Sequence, residues 1–252
     1  MTHLIELVYP EHIELVLRQR TAAQLGCSPY RVARIVASEE FMRIRRRSLV
    51  LGASDGARLD RLRRSAPFLS HEQFLQSTEP TPELINNMRN ELAYALKQDV
   101  NVLPVTFQHL FLVDDFAGSG ETMLRLTDAG YKGKLMKLAT AIKALAEDGL
   151  LSDDIDVTIV LYVATEQARR HLATTIASSP LPNWTVRVVQ ELPAWVRVEE
   201  QDKSFAALCE LYYDKVLTDE HKGRAVMGYA NCALPVILAH NTPNNSVSLL
   251  WV

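Results

Sequence analysis

Cysteine is scarce in this chain: Cys27, Cys209 and Cys232 are the only three, far apart and odd in number. That count gives no disulfide framework and no zinc-ribbon spacing, and a reducing, cytoplasmic setting is expected. No uninterrupted apolar run reaches the length that crosses a bilayer, and the first residues lack a signal-peptide pattern, so no membrane association is expected. Charge of one sign is also missing. With 27 Lys and Arg against 30 Asp and Glu the formal net charge is −3, which excludes nucleic-acid binding by the field of the whole molecule and leaves it to local patches. There is no internal repeat and no low-complexity tract. No Gly-x-x-x-x-Gly-Lys-Ser/Thr occurs, so a nucleoside triphosphatase of that type lacks its phosphate loop.

What is present is enough for one large core: 252 residues, 48% hydrophobic and 23% charged. Apolar residues recur at helical spacing from Ile13 to Ile44, interrupted at Gly26-Cys27-Ser28-Pro29, where Ser28 is placed to cap a helix starting at Pro29. Strands are predicted at Ser48 to Ala53, Leu110 to Asp114, Ile155 to Val163, Trp184 to Val189 and Leu234 to Ala239. Helices are predicted at 121–129, 134–148, 165–178 and 201–216. This alternation predicts an α/β fold, a parallel sheet with helices on both faces. Residues 1–47 read as an amino-terminal helical extension and 48–252 as the main domain. Within it, 65–101 reads as an insertion with one helix at Pro82 to Lys97, either a lid over a site or a fixed decoration. Arg43, Arg45, Arg46 and Arg47 end a helix just before the first strand. They read as a solvated face, with contact to an acidic partner or nucleic acid as the sharper reading.

The densest chemistry lies from Leu110 to Thr122. Four apolar residues lead to Asp114-Asp115, then Phe116-Ala117-Gly118-Ser119-Gly120-Glu121-Thr122. Gly118 and Gly120 permit close approach of the backbone to a ligand. Ser119 and Thr122 supply hydroxyls, and free amides at a helix start form an anion site. The paired carboxylates suit two sugar hydroxyls. Together these describe a cradle for ribose 5-phosphate; an ordinary strand–turn–helix corner with capping aspartates is the competing reading. A second strand-turn-helix corner follows Leu51 and contains Ser54-Asp55-Gly56-Ala57-Arg58, where Arg58 is the side chain suited to a diphosphate. Near the carboxyl end, His240-Asn241-Thr242-Pro243-Asn244-Asn245-Ser246 is either a structural turn or a set of donors and acceptors for a base, through His240, Asn241, Asn244 and Asn245.

The Leu110–Thr122 motif resembles the binding signature of type I phosphoribosyltransferases. With Ser54–Arg58 and the Asn-rich loop in the same order, residues 45–252 resemble the PRTase-CE family, phosphoribosyltransferase-like proteins of bacterial conflict and anti-phage systems. That resemblance implies a type I phosphoribosyltransferase fold and an effector acting on phosphoribosyl diphosphate or a nucleotide at the anomeric carbon. It implies Asp114 and Asp115 as catalytic residues that also hold Mg2+ through water, and 116–122 as the ribose-phosphate loop. Ser54, Asp55, Gly56 and Arg58 would form the diphosphate loop. A winged-helix protein and a retron reverse transcriptase with its non-coding RNA are the implied partners; self-association is left open. A salvage phosphoribosyltransferase and a non-catalytic sensor of a phosphoribosyl ligand stay as alternatives.

Overall fold

Short apolar runs with both faces covered form one parallel sheet. The structure, a computed structural model, describes residues 1–99, 105–181, 183–198, 202–214, 225–238 and 241–251. Its strands are β1 (Ser48–Gly52), β2 (Phe74–Leu75), β3 (Phe107–Ala117), a separate antiparallel hairpin of β4 (Arg125–Thr127) and β5 (Gly130–Lys132), β6 (Leu151–Thr165) and β7 (Thr185–Leu192). The main sheet has the order β2-β1-β3-β6-β7, all parallel. Strand order therefore reverses beside β1. In open α/β sheets a ligand crevice lies outside the carboxyl ends of the strands at such a reversal. The register pairs Gly52 with Val113, so β1 stops where β3 runs on to Ala117 against β6.

The helices are α1 (Thr2–Leu7), α2 (Glu14–Gln24), α3 (Val32–Val36), α4 (Glu39–Arg46), α5 (Leu59–Ser65), α6 (Pro82–Leu96), α7 (Lys134–Glu147), α8 (Glu166–Ser178) and α9 (Lys203–Leu211); a π-helical turn, Val8–Ile13, joins α1 to α2. Side chains alternate across a strand, and two cores follow. Leu49, Leu51, Leu110, Leu112, Ile159 and Leu161 pack with Met88 of α6, Leu138 of α7 and Leu172 of α8. Val50, Phe111, Val113, Val160 and Tyr162 pack with Ile5, Ile13, Leu17, Ile35 and Phe41 of the amino-terminal helices and Leu62 of α5.

Residues 1–47, together with α5, thus cover one face of the sheet. The 65–101 segment likewise supplies the edge strand β2 and, through Ile85, Met88 and Leu92 of α6, part of the opposite core. A lid made of that segment is overturned by this packing. The arginines before β1 are engaged internally: Arg46 with Glu72 and Ser70, Arg47 with Gln98 at 3.1 Å, Arg43 with Glu40 at 3.3 Å, and Arg45 over the Phe41 ring at 5.6 Å.

Three expected elements differ. No helix forms at 121–129; a turn and the β4–β5 hairpin occupy that stretch, because Gly130 (φ 96°) and Gly133 (φ 129°) take left-handed-side conformations that break a helix, and α7 starts only after Gly133. The predicted strand at Leu234 makes only an isolated bridge to Ser246, and its last residue, Ala239, lies outside the described residues. Ser28 does not cap a helix at Pro29. Its hydroxyl accepts from Tyr30 N at 3.4 Å in a turn, and α3 starts at Val32.

A polar clamp fastens the amino-terminal cover. Arg20 of α2 donates to Nδ1 of His109 on β3 at 2.6 Å and pairs with Asp156 on β6. Burial, then the charges of Arg20 and Arg47, lower the His109 pKa from 6.5 to about 3. The unfolded chain therefore takes up this proton first. Stability contributed by neutral His109 is complete above pH 6.5 and is lost as pH falls from 6.5 towards about 3. Urea titrations of the parent and His109→Gln should show the parent losing its advantage across that window; parallel curves would contradict a neutral His109. The packing also generates a truncation test. A chain of residues 48–252 should lose its cooperative thermal transition and bind a hydrophobic dye, since Phe111, Val113, Val160 and Tyr162 would lose their cover. A sharp transition near the parent's would show that the cover is dispensable.

Candidate functional site

Alternation along β3 decides what the two adjacent acids do. Asp114 continues the face of Leu110 and Leu112, towards α7; Asp115 continues the face of Phe111 and Val113, towards α5. Asp114 is 1% exposed. Its Oδ1 accepts from the Ser54 hydroxyl and, at 3.2 Å, from the Asp115 amide; its Oδ2 lies 2.6 Å from Nζ of Lys134. A buried carboxylate requires such partners, because an unpaired charge in the interior costs several kcal/mol, on the order of 3–5 when one partner is removed. Asp114 is consequently an internal anchor joining the loops after β1 and β3 to the start of α7, and it does not line the cavity described below. Both acids were expected at the substrate; of the two, Asp115 lines that cavity.

Asp115 does line that cavity. Its Oδ1 accepts from the Phe116 amide at 2.9 Å, and the backbone of Gly56 passes so close that a Cβ there would overlap its carboxylate. Gly56 belongs to the 3₁₀ turn Asp55–Ala57, which follows Ser54. The turn is held from below by the Tyr162 hydroxyl, which donates to Ala57 O. Burial, with the nearby charges of Asp114 and Asp115, raises the Tyr162 pKa and keeps it a donor. Arg58 adopts φ 48°, is exposed, and lines a separate hollow of about 270 Å³ with Ser54, Asp55 and Asp60.

Phe116, Ala117, Gly118, Ser119, Gly120 and Thr122 curve around a cavity of about 410 Å³, closed opposite by Asn241, Thr242, Pro243, Asn244 and Asn245. The loop is braced from several sides. Thr165 donates to Gly118 O, His171 Nε2 lies 2.7 Å from Leu124 O, and Lys134 N donates to Thr122 O at 3.0 Å. Glu121 points away to accept from the Tyr229 hydroxyl at 2.7 Å, a bond that, ahead of burial, raises the Tyr229 pKa. Asn241 and Asn244 line the cavity. Asn245 is 7% exposed and its amide donates to Tyr229 O at 3.2 Å and Cys232 Sγ at 3.3 Å, so it builds the wall. His240 lies outside the described residues.

A larger cavity, about 450 Å³, opens at the carboxyl ends of β6 and β7 beside Thr165, Glu166, Arg170, Arg197 and Cys232. We weigh the smaller one more heavily, because the acid, the glycine loop and a cation converge there. Cys232 offers no nucleophile: burial pushes its thiol up to about 11. Among the described residues no group of three or more His, Cys, Asp or Glu side chains is placed to hold a metal by itself, and no helix is long and apolar enough to cross a membrane.

The sequence reading missed Lys134, Thr165 and His171. Each acts on a loop at least twelve residues away; the only local signal was Gly133-Lys134, a glycine just before a new helix.

The tightest contact is between Gly118 and Asn245, where a Cβ on Gly118 would overlap the Asn245 side chain. Gly118→Ala should therefore unseat the carboxyl-terminal wall while sparing the two main cores. Limited proteolysis should show faster cleavage after residue 225 with near-parental far-UV circular dichroism; an unchanged cleavage rate would contradict the contact.

Comparison with curated proteins finds no match, and comparison with solved structures finds none. A family model, PRTase-CE, matches residues 56–252. The matched span contains β3, its acid pair, the glycine loop and the carboxyl-terminal wall, and with them the whole cavity. On that extent of match, the chain belongs to the PRTase-CE family.

Proposed function

We propose that this chain binds phosphoribosyl diphosphate or a nucleotide and transfers or cleaves the group at the ribose anomeric carbon. One observation carries the reading: at the reversal of strand order, Asp115, the Gly118–Thr122 loop, Lys134 and the Asn241–Asn244 segment share a cavity of about 410 Å³. That volume suits a nucleotide-sized ligand. The Ser119 and Thr122 hydroxyls, with amides of the turn that stands where a helix start was expected, are the groups offered to the 5-phosphate; the Glu121 amide is engaged with Ser119 Oγ at 3.3 Å. Asp115 accepts from the ribose hydroxyls and stabilises positive charge developing at C1 as its substituent departs. The Ser54–Gly56 turn lines a separate hollow and meets the cavity's acid only where Gly56 backs onto Asp115, which makes it the candidate for a diphosphate; Asn241 and Asn244 offer donors and acceptors for a base.

The donor set allows magnesium in one way. Magnesium binds through one or two carboxylates together with substrate phosphates and retained waters. Asp115, which lines the cavity, fits that role; Asp114 is buried and bonded to Ser54 and Lys134. When bound with the ligand, the ion would offset phosphate charge.

Calorimetry provides the test. Phosphoribosyl diphosphate should bind the parent in magnesium buffer, and Asp115→Asn should weaken binding by about 10- to 100-fold, the equivalent of about 1.5–3 kcal/mol for a hydrogen bond to a charged group. A folded Asp115→Asn with parental affinity would remove the ribose assignment. The sequestered state of Asp114 favours one further reading, a ligand sensor without turnover. Release of diphosphate from phosphoribosyl diphosphate, or of the base from a nucleotide, in a single-turnover assay separates the two, since a sensor releases neither.

A further inference from the structure

Resting on the ligand reading above, we propose that Lys134 is the anion-binding cation of the cavity, in addition to being the partner of Asp114. Among the described residues lining the cavity, Lys134 is the sole Lys or Arg and Asp115 the sole acid. A phosphate entering it meets a carboxylate of its own sign, so recognition needs a fixed positive charge at the wall. Lys134 is built to supply one. Its side chain is 29% exposed while that of Asp114 is 1% exposed. The pair is thus asymmetric, with a buried anion and a cation at the cavity surface. The ammonium carries three donors and Asp114 occupies one.

Its position is fixed by the backbone beneath it. Gly133 adopts φ 129°, where a Cβ would overlap Met123 O. Lys134 N donates to Thr122 O at 3.0 Å and Leu135 N to Met123 O at 2.9 Å. The start of α7, a 14-residue helix, is thereby tied to the end of the phosphate loop. Asp114 Oδ2 then holds the ammonium at 2.6 Å, and the Lys134 side chain lines the cavity. In the opposing view, Lys134 merely neutralises a buried acid. The two views diverge once that acid is removed.

Asp114→Asn abolishes the need for a counter-charge. If Lys134 is only a counter-charge, adding Lys134→Met to Asp114→Asn should leave ligand binding unchanged. If it binds the anion, the double variant should bind phosphoribosyl diphosphate about tenfold or more weakly than Asp114→Asn alone, with a shallower dependence on salt. Equal affinities overturn the proposal. Should Asp114→Asn fail to fold, Asp114→Ala with and without Lys134→Met replaces it, since that acid is again absent. A further loss of binding on adding Lys134→Met supports the proposal, and equal affinities overturn it. Inorganic phosphate, as a second probe, separates this inference from the ligand reading. Lys134-dependent phosphate binding without phosphoribosyl diphosphate binding keeps Lys134 and removes the ribosyl ligand. Lys134-independent binding of phosphoribosyl diphosphate does the reverse, and a parent binding neither overturns both.

Discussion

A single buried carboxylate sets the geometry of the site. Asp114, at the point where β3 outruns β1, ties Ser54 from one loop and Lys134 from a helix 20 residues on. Hydrophobic packing alone would place these segments near one another. It is non-directional and would leave their polar atoms free to shift. The charged hydrogen bonds supply direction, and low dielectric makes them stiff. Such a pair adds little net stability over an apolar replacement, since desolvation offsets attraction. Its effect here is positional: the turn under Asp115 and the first residue of α7 have one arrangement relative to the phosphate loop.

The fold was legible where burial is two-sided. Leu110-Phe111-Leu112-Val113 reads as a central parallel strand because both faces are covered, and it is one. The next step was available and was not taken. If alternate residues of that run face different cores, Asp114 and Asp115 must diverge too, so treating them as a matched pair contradicted the pleat. The helix expected at 121–129 failed for another reason. Glu121, Met123, Leu124 and Leu126 are acceptable helix formers, but a stretch this short has little intrinsic stability. Contacts of its ends decide the outcome, and those ends are drawn into a hairpin at Gly130 and a close passage at Gly133. The amino-terminal helices were visible as helices, yet their necessity was not, since only the three-dimensional sheet reveals a second face in need of cover.

The carboxyl-terminal wall shows a similar division. Asn241, Asn244 and Asn245 have the same chemistry in sequence and different fates in space. Asn245 sits where two chain segments touch without a side chain between them, at Gly118 on one side and, through its carbonyl, at Gly228 on the other. Packing this close leaves its amide no route to a ligand, and it satisfies Tyr229 O and Cys232 instead. Asn244 gives its carbonyl to Tyr229 N at 2.7 Å, which holds the turn and leaves its side chain at the cavity. No feature of the local sequence distinguishes these roles, because they depend on residues 15 or more positions away, Tyr229 for Asn244 and Gly118 and Gly228 for Asn245.

This division of labour constrains the chemistry. With Asp114 paired to Lys134, the negative charge that the proposed reaction would direct at an oxocarbenium ion comes from Asp115. One carboxylate on a rigid strand end, against a glycine backbone that admits no side chain, is a preorganised acceptor that need not reorient as charge appears. In the proposed reaction Lys134 would hold the phosphoryl end without quenching Asp115, because the pleat has separated the two carboxylates onto different faces. Two acids side by side in the sequence thus have unlike surroundings for a geometric reason: one is bonded to the lysine and the other lines the cavity.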